Sequence, residues 1–269
     1  MFARRITPIL FISGAFALGA CSKGDKKPAA DKKPAAAKPA EKPAEKPAEK
    51  PAEKPAEVAG KGGSIKGVVS FEGAAPKPAK IDMKKDPKCV KTNKNAMRSD
   101  AKIADGKVAE VFVHIKSGLP DKKWDTREDE VVLDQVGCLY NPRVVGLQED
   151  QKLTIVNSDP LLHNVHATPK RGEFNMAMPT QGMKLQKSFK KKELGFDIKC
   201  DVHAWMKAWG YVVDHPFFAT SAADGSFEIK DVPAGKYKVE FIHPTLGAQE
   251  ADVTVTDGEA MASATFKAG

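Results

Sequence analysis

From residue 64 onward, no apolar pattern keeps a 3.6-residue period for the length of a helix, and this limits the fold more than any other feature. What recurs instead are short alternating or apolar runs: Ile65–Phe71, Val108–Ile115, Leu153–Val156, Gly210–Val213, Phe227–Ile229, Tyr237–Ile242 and Ala251–Val255. Turn clusters such as Ser117-Gly118, Ala223-Asp224-Gly225 and Pro233-Ala234-Gly235 separate them. Runs of this length with such punctuation read as strands of an antiparallel sandwich or barrel. The expected fold class is therefore all-β. Residues 74–107, rich in Lys and Pro with weak periodicity, read as a long excursion.

The first 57 residues obey other rules. Arg4 and Arg5 precede an apolar run, Ile6 to Ala17, that ends in Leu18-Gly19-Ala20-Cys21. A charged start, a short apolar core and small residues are the marks of a secretory signal. The last four residues resemble the lipobox of bacterial lipoproteins. That resemblance implies lipidation of Cys21 and anchoring at the periplasmic face of a membrane, the outer one because Ser22 rather than Asp follows. From Lys23 to Glu57 a Lys-Pro-Ala-Glu unit repeats, clearest from Lys42 to Glu57, where a proline at every fourth position removes donors and clashes with the preceding turn. This tract reads as an extended, disordered spacer reaching on the order of 100 Å.

The spacer also explains the charge. Of the formal +8 over 269 residues, +5 belongs to residues 1–57, leaving +3 for the rest. No basic cluster with interleaved aromatics stands out there, so no nucleic-acid partner is expected. Nor does any run of 18 apolar residues occur that could cross a membrane as a helix.

The chemistry-bearing residues fall in two windows. Cys200-Asp201-Val202-His203-Ala204-Trp205-Met206 offers a thiolate, an imidazole and a thioether within seven residues, after the strand-like Phe196–Lys199. Upstream lies Asn157-Ser158-Asp159-Pro160-Leu161-Leu162-His163-Asn164-Val165-His166. Two imidazoles and a thiolate with a weak axial thioether suit both oxidation states of copper, sulfur favouring Cu(I) and nitrogen Cu(II).

With a His-Asn pair followed by C-x2-H and a nearby Met, the sequence resembles the cupredoxins, above all the plastocyanin/amicyanin type, over about 105–215. The resemblance implies a Greek-key sandwich in which His163, Cys200 and His203 hold copper equatorially and Met206 axially. Asn164 would tie the two ligand segments together, and electrons would pass through an exposed His203 edge. Side chains three apart in a strand point to opposite faces, so one of His163 and His166 faces the Cys200 loop. His163 fits the family, with a chelating His-x2-His turn as the competing arrangement.

Cysteine count agrees with a free thiolate. Without Cys21, three cysteines remain in an oxidising compartment, enough for one bridge. Pairing Cys89 with Cys138 leaves Cys200 free; a bridge from Cys200 to either would abolish the site. Arg143, in Cys138-Leu-Tyr-Asn-Pro-Arg143, stands where similar periplasmic proteins suggest a histidine, which argues against a second metal site there.

Residues 223–240 (Ala-Asp-Gly-Ser-Phe-Glu-Ile-Lys-Asp-Val-Pro-Ala-Gly-Lys-Tyr-Lys-Val-Glu) resemble the prealbumin-like module of the carboxypeptidase regulatory-like family, a structural sandwich without chemistry. The expected organisation is a signal (1–21), a linker (22–60), a cupredoxin-like domain (61–214) and a smaller prealbumin-like module (215–269). Whether Ile65–Phe71 supplies that module's first strand stays open. The expected function is one-electron transfer by a lipid-anchored copper protein, with a periplasmic redox protein as partner and no enzymatic activity. The alternatives are copper buffering without a redox role and a metal-free structural or adhesion sandwich.

Overall fold

The computed structural model of the chain describes residues 59–268. The signal segment, Cys21 and the Lys-Pro-Ala-Glu tract lie outside them.

Among the described residues the backbone is strand and turn with one short helix. The main elements are β1 (Gly62–Glu72), α1 (Pro87–Thr92), β2 (Phe112–Ser117), β3 (Val131–Val136), β4 (Val144–Gln148), β5 (Leu153–Asn157), β6 (His163–Ala167), β7 (Phe174–Met178) and β8 (Lys184–Lys187). They continue as β9 (Glu193–Lys199), β10 (Lys207–Val213), β11 (Phe218–Thr220), β12 (Ser226–Val232), β13 (Gly235–His243), β14 (Gly247–Val255), β15 (Asp257–Met261) and β16 (Ala264–Lys267). The all-β class expected from the alternating runs is the class observed.

Two sandwiches share these strands. In the first, a sheet ordered β8-β5-β3, extended by Leu139–Asn141, faces one ordered β7-β6-β9-β10-β4. Its core holds Leu133, Leu147, Ile155, Val165, Phe196 and Ile198, and also Cys89, Cys138, Cys200 and Met206. The second sandwich packs a sheet built on β1 against one ordered β11-β2-β13-β14 around Ile65, Val69, Val113, Ile115, Val239, Phe241 and Phe266. Phe112 of β2 stacks on Tyr211 of β10 at 4.8 Å, joining the two.

The division expected at residue 214 is not where the sheets divide. β1 pairs antiparallel with β12 and parallel with β15 and β16, and β2 pairs with β11 and β13. Both segments therefore lie in the sandwich that holds residues 218–267, and β3 to β10 form an insertion between them. Alternation shows that a run is a strand with one buried face; it does not name the strand beside it, so the run near Val108–Ile115 could not reveal its sheet.

Close packing fixes the geometry under the site. Phe196 of β9 sits opposite Gly210 of β10, and a Cβ on Gly210 would come within 2.2 Å of the Phe196 ring. Only glycine lets that ring lie flat on the neighbouring strand, and this holds the strand that ends at Cys200.

The excursion at 74–107 also differs from expectation by containing α1. Asp86 caps it, its carboxylate accepting from the Lys88 and Cys89 amides, and Pro87 opens it. An acceptor followed by proline is a helix-start signal, and six residues are too few to show a period.

Candidate metal centre

The loop from Cys200 to Met206 is closed by its own backbone. The Cys200 amide donates to the Met206 carbonyl at 3.3 Å, and the Met206 amide to the His203 carbonyl at 2.9 Å. This tight turn places His203 beside Cys200, and its amide points at Sγ from 3.4 Å. Met206 ends the loop fully buried.

Asn164 fastens that loop to β6. Its Oδ1 accepts from the Asp201 amide at 2.7 Å and the Val202 amide at 3.3 Å, and the Cys200 thiol lies 3.3 Å away. The Tyr140 hydroxyl donates to the Asn164 carbonyl at 2.6 Å from inside the core. His163, one residue earlier, opens β6 and is fully buried.

The donor atoms converge. Nδ1 of His163 lies 3.0 Å from Nδ1 of His203, which is 3.9 Å from Cys200 Sγ. Ligand atoms of His163, Cys200 and His203 all lie within 4.8 Å of one another, and all three residues are buried. His166 is not among them. It is half-buried on the other face of β6, held by Asp201 at 3.0 Å and Glu173 at 3.1 Å.

Each inner imidazole is braced by a carboxylate on its far nitrogen. His163 Nε2 meets Asp159 Oδ2 at 2.9 Å, while Asp159 also accepts from the Gly137 and Cys138 amides at 2.8 and 2.7 Å. His203 Nε2 meets Asp86 Oδ2 at 3.1 Å, with Cys89 Sγ at 3.6 Å. Such pairs leave Nδ1 facing inward and make the ring a stronger donor.

The electrostatics favour a thiolate. Burial alone would push the Cys200 thiol up, but the hydrogen bonding of His163 and neighbouring amides holds it below its ordinary value. Burial would likewise lower His163, yet Asp159 and Cys200 outweigh it and raise it to about 9. Asp159 is buried too, but His163 and its two amide donors hold it below the usual carboxylate range. Without metal, Asp159 and Cys200 thus favour the protonated, cationic form of His163.

Cys89 and Cys138 form a disulfide and Cys200 is free. The bridge ties α1 to the turn after β3 and sets that helix against His203. Trp205 completes the cover: its indole N–H donates to the Cys138 carbonyl at 3.0 Å, and its ring lies 5.0 Å from that of His203. His203 is consequently only 2% exposed, so the expected open histidine edge is absent. Arg143 binds Glu110 at 2.8 Å and the Ser99 carbonyl at 2.8 Å, pinning the excursion's end. Asp86 and Tyr140 were not legible as site residues, because their partners lie 117 and 24 residues away with no shared motif; Asp159, four residues before His163, lay in the same window and was missed as its partner.

No family model and no curated protein matches this chain. Solved structures similar to part of it include cupredoxins and a copper-containing enzyme. A purple cupredoxin from Nitrosopumilus maritimus is 18% identical with a TM-score of 0.27, over 31% of this chain and 99% of that one. An amicyanin variant in its Cu(I) form is 19% identical with a TM-score of 0.29, over 38% and 98%. A copper-containing nitrite reductase from Thermus scotoductus SA-01 is 15% identical with a TM-score of 0.28, over 54% of this chain and 28% of that one. The identities and scores are low, and the assignment of a metal rests on the donor set itself.

Proposed function

We propose that this chain is a copper protein that passes single electrons, holding one copper ion between His163 Nδ1, His203 Nδ1 and Cys200 Sγ with Met206 completing the set. The carrying observation is the convergence of two carboxylate-braced imidazoles and a free cysteine in one buried cluster. Bound there, copper supplies a one-electron Cu(I)/Cu(II) couple. The protein's part is to keep the four donors where both states are tolerated and to exclude water. Asn164, Asp159 and Asp86 do the first; Trp205 and the disulfide-tied α1 do the second.

Delivery of copper to an acceptor is less well supported, since exchange needs an open edge and His203 has none. Tethering of the domain through a lipid on Cys21 to the periplasmic face of the outer membrane belongs to the same proposal. It is supported by the sequence of residues 1–22 alone. No catalysis is proposed.

The test is Cu(II) added to purified residues 59–269. The expected result is one copper per chain and an intense thiolate-to-copper visible band, absent from Cys200→Ser. A colourless wild-type protein, or a band that survives in Cys200→Ser, sinks the proposal. Zinc taken up stoichiometrically without colour would point to a structural metal instead.

A further inference from the structure

Residues 79–98 form a closed flap. At its base Ala79 pairs with Arg98 and Lys80 with Met97, and the Ile81 amide donates to the Ala96 carbonyl at 2.9 Å. Its inner side enters the core of the first sandwich through Met83, Cys89 and Ala96. Asn93 donates to the Gly137 carbonyl at 3.0 Å. Asp86 and Cys89 of this flap are the groups that cover His203 Nε2.

The outer side is cationic. Lys80, Lys84, Lys85, Lys88, Lys91, Lys94 and Arg98 are all exposed, against two acidic residues, Asp82 and Asp86. The flap therefore carries a net +5, so the rest of residues 58–269, at +3 in all, is slightly acidic. Among the described residues none of these seven cations has a carboxylate within 4.0 Å, so their charge is left uncompensated by the carboxylates of the fold. Val90 and Met97, 39% and 50% exposed, lie between them. Like charges crowded together repel and add nothing to stability, but a one-signed field steers an oppositely charged partner.

Position completes the argument. His203 does not reach solvent, but its hydrogen-bonded neighbour Asp86 is 27% exposed at the foot of the lysines. One hydrogen-bonded way out of the donor cluster, from His203 Nε2 to Asp86, ends inside the flap. We propose that the flap at residues 79–98 is the docking face for a redox partner that presents an acidic surface. Electrons would cross there through His203 and Asp86. The inference rests on the copper reading for its electron, though not for its anion-binding face.

The first test needs no copper. Redox-inert hexacyanocobaltate(III) titrated into the metal-free protein should shift amide resonances in 79–98, and shifts confined elsewhere would overturn the docking face. The second uses the reduced, copper-loaded protein oxidised by hexacyanoferrate(III), one electron passing from Cu(I) to each iron. The rate should fall about tenfold with added salt and about tenfold in Lys84→Glu/Lys85→Glu/Lys91→Glu, with the visible band unchanged. The cationic oxidant tris(phenanthroline)cobalt(III) should show the opposite trends. The control is Lys170→Glu/Lys190→Glu/Lys191→Glu, the same charge change at the far end of β9, about 23 Å from Cys200. If both triple variants slow the reaction equally, only net charge matters and the assignment falls. Co-sedimentation with phosphatidylglycerol vesicles at about 0.15 M salt, abolished by the flap variant, would overturn it in favour of a membrane surface. A missing visible band would defeat the copper reading alone, since the anion titration still decides the face.

Discussion

The two sandwiches each bury histidines and treat them in opposite ways. In the first, His163 and His203 face carboxylates and a thiol, the donor set on which the proposed copper site rests. In the second, His114, His215 and His243 are buried as neutral groups. Burial lowers all three, His215 and His243 to about 4, against one carboxylate partner, Glu240, for His114. Burial is alike in the two places; the anions placed beside the rings differ. A histidine becomes a ligand candidate when its far nitrogen is anchored and its near one is left facing a thiol.

The contrast can be broken at the disulfide. Cys89→Ala/Cys138→Ala opens a loop with a sequence separation of 49 residues, a loss of about 4 kcal/mol. The loss should fall on the first sandwich, with a lower Tm for its transition and faster amide exchange around β6 and the Cys200 loop. Equal loosening of both sandwiches would show that they do not differ in this respect.

Acid and base should then act on different halves. His215 and His243 have folded values near 4, below the unfolded value near 6.5. At neutral pH neither state binds the proton, and between about pH 6.5 and 4 only the unfolded state does. Stability therefore falls through that window, by on the order of 3 kcal/mol for each histidine at its lower end. His163 has the opposite sign, with a folded value of about 9. In the metal-free protein its contribution is complete below about pH 6.5 and is lost as the pH rises through 9. Denaturant midpoints measured across this range, in wild type and in His215→Phe, check both arms.

A smaller effect sharpens the contrast within the candidate metal centre. Asp159→Asn can keep the hydrogen bond to His163 but removes the charge behind it and turns an NH2 donor toward the Gly137 amide, and copper affinity should fall about 10- to 100-fold in competition with a chelator. An unchanged affinity would mean that the carboxylate only orients the ring. The smallest effect belongs to the second sandwich's surface. Lys66, which pairs with Glu228 and Glu259 at the solvent face of β1, should change stability by no more than about 1 kcal/mol when replaced by alanine.

Much of this was legible in the chain and some was not, for physical reasons. Cys200, His203 and Met206 stand out because a loop three to six residues long can bring donors together locally, so spacing carries the information; His163, 40 residues from His203, was placed through the His-Asn pair and the resemblance it carries. Strand character was readable at β1, β12, β13 and β14 through alternation of buried and wetter positions, and at β5 and β10, buried almost throughout, as short apolar runs. Strands such as β7, with Asn175, Met176 and Ala177 exposed, leave almost no alternation. The burial of His203 was invisible because its cover comes from Asp86 and Cys89, more than a hundred residues earlier. The lysine flap was visible as composition, but its place above His203 follows from the Cys89–Cys138 bridge, one of several pairings the cysteine count allowed.

The interleaved order of the strands also has a temporal side. The Lys61 amide is bonded to Asp257, 196 positions along the chain, and β1 aligns with β15 and β16 at the opposite end of the described residues. Loops of that length close slowly compared with local contacts. As the chain is made from its N-terminus, β3 to β10 can collapse and enclose the donor cluster while β1 still waits for its neighbours. The half with the chemistry is then assembled before the half that frames it.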